Sequence, residues 1–277
     1  MTRKNRPLLI SKPLLQRTGK AAVVALLHTG AITLVAGCAA TPDQKGPPTL
    51  REAHRLESAV TGPRMVGAPH QALEDLHRAL RLYALVDDRP GQIRSHLAVA
   101  RLQEQMGRKD SAQDHARMAL QLARQVNIQE HLYRALLAVG RMENNRAFLE
   151  EALEHAGSAL ERAVAYSYLG RHREAFALVH PLSRDRDDAD AADLAFVVHA
   201  YADERMDPAA AAEALALYKQ VDHYTGIIDC LRLLGRISAG NGDHPRATLY
   251  YDRALRAAQA LGDTARMQAI QAERDAP

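Results

Sequence analysis

The chain has 277 residues, with 36 Lys and Arg against 33 Asp and Glu and a formal net charge of +3. Hydrophobic residues make up 47%, enough for a sizeable folded region, and only two cysteines are present, which excludes a disulfide-stapled scaffold. The small basic excess is not spread over the chain: it sits in the first segment.

That segment carries Arg3, Lys4, Arg6, Lys12, Arg17 and Lys20 ahead of an apolar stretch from Ala21 to Gly37, with no acidic residue among them. The stretch is 17 residues interrupted by His28, Thr29 and Gly30, short of the roughly 20 apolar residues that a spanning helix needs. A basic start, an apolar middle and small residues at the end form the pattern of an export signal. Taking away its six basic residues leaves 30 Lys and Arg against 33 Asp and Glu, a net charge of about −3. The positive balance therefore belongs to the leader, and no nucleic-acid partner is expected, since that would need a basic patch on the folded part.

Leu34, Val35, Ala36 and Gly37 directly precede Cys38, and these five residues resemble the lipobox of bacterial lipoprotein signal peptides. The resemblance implies cleavage before Cys38, lipidation of its thiol and anchoring to a membrane, with residues 1–37 as the signal peptide. Ala39 follows the cysteine in place of the aspartate that is the family's usual inner-membrane retention signal. The implied location is the bacterial outer membrane, facing the periplasm, with the inner membrane as the alternative. Cys230, the other cysteine, lies among Ile227, Ile228, Leu231 and Leu234 and reads as a buried small apolar residue.

Residues 38–48 include Pro42, Gly46, Pro47 and Pro48 and little to bury, which predicts a flexible tether. Thr49 followed by Leu50, Arg51 and Glu52 has the form of a capping box and predicts the first helix start. From there onward alternating β-branched runs are absent, alanine and leucine dominate, and apolar residues recur at helical spacing.

Small residues recur as well. Ala72, Leu76 and Ala79 share a helical face at i, i+4, i+7, as do Ala112, Ala116 and Ala119; Ala175, Val179 and Leu182; Ala210, Ala214 and Leu217; and Ala247, Tyr251 and Ala254. Twelve residues before several of these anchors stands another small residue: Ala100 before Ala112, Ala135 before Ala147, Ala163 before Ala175, Gly235 before Ala247. Turn signals lie between, at Gly107–Arg108, Gly170–Arg171 and Gly242–Asp243, with Asp207–Pro208 supplying an N-cap and a first-turn proline.

This helix, turn, helix unit resembles the tetratricopeptide repeat (TPR), whose period is roughly 34 residues. The anchors at 72, 112, 147, 175, 210 and 247 step by 40, 35, 28, 35 and 37, and the fullest unit runs from Tyr224 to Asp263. The unit around Ala147 places Glu151 and Glu154 where small residues belong, which predicts a degenerate or shifted repeat, and Pro63 falls inside the opening helix of the first. Residues Thr264 to Ala276 read as a polar closing helix. The resemblance implies an all-α, right-handed superhelical solenoid of antiparallel helix pairs, about six repeats over residues 49–277, ended by a capping helix.

Function in that family resides on the concave surface lined by the first helices. Carried over unit by unit, the groove positions are Arg94, Arg101, Tyr133, Tyr168, His199, Arg232 and Arg236. Arginine forks and stiff tyrosines suit an acidic or C-terminal peptide segment. The acidic run Asp185, Asp187, Asp188 and Asp190 fails as a calcium loop, because the twelfth place from Asp185 is Phe196. The 13 histidines form no zinc pattern, so neither metal nor cofactor is expected, and no nucleophile elbow or phosphate loop occurs. The sequence thus points to a lipid-anchored, non-catalytic adaptor that binds protein or peptide partners in the envelope, in assembly of a secretion, pilus or cell-wall machine. The alternative is a subunit or enzyme of envelope polysaccharide or peptidoglycan metabolism.

Overall fold

The computed structural model describes residues 47–60, 68–181 and 188–275, so the leader, Cys38, Pro63, Asp185, Asp187 and most of the tether lie outside the described residues. Among the described residues every regular element is a helix: α1 (Pro48–Ala59), α2 (Pro69–Leu85), α3 (Arg89–Gln105), α4 (Lys109–Val126), α5 (Gln129–Met142), α6 (Arg146–His155) and α7 (Ala159–Tyr168), followed by α8 (His172–Val179), α9 (Asp188–Arg205), α10 (Pro208–Gln220), α11 (Tyr224–Gly240), α12 (His244–Leu261) and α13 (Thr264–Arg274).

The helices pack as six hairpins, α1 with α2, α3 with α4, α5 with α6, α7 with α8, α9 with α10 and α11 with α12, while α13 closes the array against α12. The second helix of each hairpin then packs on the first helix of the next. First helices also touch first helices, α3 with α5, α7 with α9, α9 with α11 and α11 with α13. They therefore form the inner side of an all-α TPR-like solenoid. The core is a succession of clusters, from Ala53, Leu56, Ala79 and Tyr83 at the start to a last one that reaches Ala258 and Ile270. No helix among the described residues is long and apolar enough to cross a membrane.

Local chemistry sets the helix ends. Asp88, Asn145, Ser158, Asp207, Asp243 and Asp263 accept backbone N–H bonds as N-caps, and Ser158 with Glu161 completes a capping box. The box expected at Thr49 and Glu52 does not form: α1 begins at Pro48 with no side-chain cap, and the Glu52 carboxylate is held by Arg55 at 2.8 Å and Arg78 at 3.3 Å. Proline, with φ already fixed and no N–H to satisfy, moves the start forward so that Thr49 falls inside the first turn.

Five hairpin turns close identically. The N–H of Arg108, Asn145, Arg171, Asp207 and Asp243 donates to the carbonyl of Gln103, Gly140, Tyr166, Ala202 and Ser238, at 2.8 to 3.0 Å. The residue before each donor is left-handed: Gly107, Asn144, Gly170, Met206 and Gly242 have φ of 75°, 49°, 74°, 51° and 77°. These bonds fix the register. Nine residues beyond each acceptor stand Ala112, Leu149, Ala175, Ala211 and Ala247, all buried.

The third repeat is thus shifted, and its anchor is Leu149; Ala147 is exposed. The bulk is accommodated across the hairpin, where Gly140 approaches so closely that a Cβ there would come within 2.8 Å of the Leu149 side chain. In the fifth repeat the anchor moves by one, from Ala210 to Ala211. Of the other expected small residues, Ala100, Ala112, Ala163 and Ala175 are buried, Leu182 lies outside the described residues, and Gly235 lies against the ring of Tyr251, which a Cβ would approach to 2.7 Å. Replacing Gly235 by leucine should overpack the α11–α12 hairpin and lower unfolding stability by roughly 1 to 3 kcal/mol. A denaturant midpoint equal to that of the wild type would refute this packing.

Candidate functional site

The inner side is laced by ion pairs that run from one first helix to the next. Glu57 of α1 takes both Nε and Nη2 of Arg94 on α3 at 3.2 Å, and Glu104 of α3 takes Nη1 and Nη2 of Arg141 on α5 at 2.7 Å. Asp203 of α9 pairs with Arg236 of α11. Asp229 of α11 binds Arg266 of α13 at 3.0 Å, and Arg232 of α11 binds Glu273 of α13 with Nε at 2.8 Å. All but the Arg236–Asp203 pair, which is a single Nη2 contact, are two-pronged arginine–carboxylate contacts, the geometry that suits the guanidinium fork.

This ladder changes character in the middle. Between α5 and α7 the link is the Tyr133 hydroxyl donating to the Glu161 carbonyl at 2.8 Å, and between α7 and α9 it is Tyr168 stacked on Phe196 with centroids 4.7 Å apart. Asp193, on α9, is exposed and has no hydrogen bond or ion pair among the described residues. Its carboxyl is nonetheless held above the usual carboxylate range, first by the protein crowding round it, which Arg101 and Arg134 partly offset. Solvent contact together with surrounding protein is what a concave wall produces. Arg101, on α3, is also exposed and without an ion-pair partner among the described residues, and its charge acts on Tyr168, Asp193 and His223 from helices further along.

Against this geometry the seven groove residues divide. Arg101 and half-buried Tyr168 present free surface on the inner side. Arg94, Arg232 and Arg236 are on the inner side but hold carboxylates of neighbouring repeats, Arg94 and Arg232 with both prongs of the fork and Arg236 with Nη2 alone, its buried Nε being without a hydrogen-bond partner. Tyr133 is 4% exposed with its hydroxyl already donated, which puts it beneath the surface and not on it. His199 is half-buried, its Nδ1 3.4 Å from the Cys230 Sγ, and burial lowers its pKa. Cys230 itself is fully buried and burial pushes its thiol up to about 12, so it stays a protonated core residue.

Asp193 went unread in the sequence because the acidic run just before it drew the attention. The repeat position was the available signal. Counting nine residues back from the turn carbonyls of Gln103, Ala202 and Ser238 reaches Arg94, Asp193 and Asp229, three charged side chains in one structural place.

Residues 64–125 match the tetratricopeptide repeat family, a span that takes in α2, α3 and nearly all of α4. The chain carries tetratricopeptide-like repeats. The match falls on the N-terminal repeats, whereas the sequence pattern was fullest at Tyr224 to Asp263; both regions form the same hairpin with the same turn bond. The comparison with curated proteins finds no match. Among the described residues no group of three or more His, Cys, Asp or Glu is placed to hold a metal ion.

The ladder should carry measurable coupling. A double-mutant cycle on Glu104→Ala and Arg141→Ala is expected to give an interaction free energy of about 1 kcal/mol, because both side chains are only about a third exposed. The same cycle on Glu130 and Arg134, more than half exposed at 58% and 56%, should give a value near zero. Equal couplings would deny the inner ladder any special part in joining repeats.

Proposed function

We propose that this protein is a lipid-anchored scaffold of the bacterial envelope, tethered through Cys38, which receives a protein or peptide partner on the inner side of its repeat array. The observation that carries the reading is the interruption of the inner ladder. Elsewhere on that side the arginines are held by carboxylates of neighbouring helices, but Arg101 on α3 and Asp193 on α9 are in no ion pair among the described residues, while Tyr168 and Phe196 stack between α7 and α9. A surface of unspent opposite charges beside aromatic area suits an extended peptide, whose own charged and apolar groups complete it. Repeats of this type, in which each unit is covered only by its neighbours, supply long surfaces of that kind.

The anchoring half of the proposal rests on the sequence of residues 34–38 and on the basic leader before it. Labelled palmitate should be incorporated into the wild-type chain and not into Cys38→Ala. Retained label in that variant would remove the anchor from the proposal. For the binding half, a photoreactive residue placed at position 168 in cells should capture a discrete partner. The double variant Arg101→Ala, Asp193→Asn should reduce the capture at least several-fold with an unchanged melting curve. Undiminished capture in that variant would assign binding to another surface.

A further inference from the structure

Three successive helices each place one histidine at the joint between the first and second hairpins. His96 of α3 is 9% exposed, its Nδ1 lies 3.0 Å from Nδ1 of His115 on α4, and their ring centroids are 5.2 Å apart. His77 of α2 adds a third ring, 5.8 Å from that of His115. Two Nδ1 atoms at that separation share a single hydrogen: one ring donates and the other must keep its lone pair. The contact is therefore a hydrogen bond only while at least one of the two rings is neutral.

The surroundings do little to stabilise a second proton. From α2 the charges that reach the cluster are His77 and Arg81, both adverse to protonation, and from α4 they are His115 and the single helpful carboxylate, Asp114. The other elements packed on α3 offer no relief. Glu57 of α1 is bound by Arg94, and Arg141 of α5 is bound by Glu104 of α3 itself. Just beside the cluster the joint is apolar, formed by Val60, Ala72, Leu73, Leu76, Val99 and Leu102.

We infer that His77, His96 and His115 form an acid-operated latch on the second hairpin, α3 with α4, at the place where α2 of the first hairpin packs on it. When both facing rings are protonated the shared hydrogen bond becomes two N–H groups pointed at each other, and like charges accumulate against an apolar joint that cannot screen them. The contact that ties α3 to α4, with α2 alongside, then becomes repulsive. Because successive repeats are covered only by their neighbours, opening the α3–α4 hairpin also loosens α2 packed against it without melting the C-terminal repeats.

The direction follows from the titration. Burial, and then the two neighbouring histidines, hold His96 down to about 4, and burial lowers His77 and His115 as well. In an opened joint each would regain an ordinary value of about 6.5. Groups depressed in the closed state bind more protons when it opens, so closure is fully stabilised above about pH 6.5 and is lost as the pH falls towards 4. His96 alone raises the opening equilibrium about thirtyfold between pH 7.5 and pH 5.

Hydrogen–deuterium exchange of the purified full chain, corrected for the intrinsic pH dependence of exchange, reads this directly. Amides of α2, α3 and α4 should lose protection by about thirtyfold between pH 7.5 and pH 5, while those of α11 and α12 keep theirs. The double variant His96→Leu, His115→Leu should abolish the difference. Equal changes along the whole chain, or no change, would overturn the latch, as would a folded double variant that opens at pH 5 like the wild type. Should that variant fail to fold, the wild-type histidine proton resonances decide. One imidazole titrating below pH 5 supports the cluster, and midpoints all near 6.5 overturn it.

Discussion

Everything in this solenoid depends on close approach between paired helices at small side chains. A helix with an apolar stripe needs another surface to cover it, and in a repeat array that surface is only the partner helix and the next hairpin. Ala112, Ala116 and Ala119, or Gly235 opposite Tyr251, bring the backbones near enough for the stripe to be covered without a large central core. The third repeat tests the rule by inverting it: the large Leu149 occupies the anchor and the small residue moves across to Gly140. What is conserved is the sum of sizes at the contact, which follows from interiors being close-packed.

Once the hairpins are stacked, their first helices face one another on the inner side, and charge takes over from size. Carboxylates of one repeat meet arginines of the next, so a large part of the inner face is already internally neutral. Around Arg101, Tyr168 and Asp193 the ladder is interrupted, and elsewhere the arginines are held by carboxylates of a neighbouring helix. The distribution of unspent charge therefore narrows the inner side to a short stretch.

Much of this was legible in the sequence. The all-helical character, four of the hairpin turns, the N-cap at Asp207 and the polar closing helix all follow from residues acting within a few positions of one another. The turn glycines Gly107, Gly170 and Gly242 announce themselves because their left-handed backbone suits glycine, whereas Asn144 and Met206 adopt the same conformation without that signal. Ala147 misled because alanine spacing alone cannot tell an anchor from an exposed neighbour, and only the bond from Asn145 to the Gly140 carbonyl sets the count.

The sequence by itself determined the helices, the turns and the repeat character, because each of these is written in short-range pattern. The tertiary structure alone decided which arginines are spent. Arg94, Arg141 and Arg266 find their carboxylates 37 residues away on another repeat, at Glu57, Glu104 and Asp229. It likewise decided that His77, His96 and His115, scattered in the chain, share one joint. Such pairings depend on the register between stacked helices, and a shift of one residue turns a side chain by about 100° around its axis. Local pattern fixes which faces exist, and only the stacking fixes which charges meet.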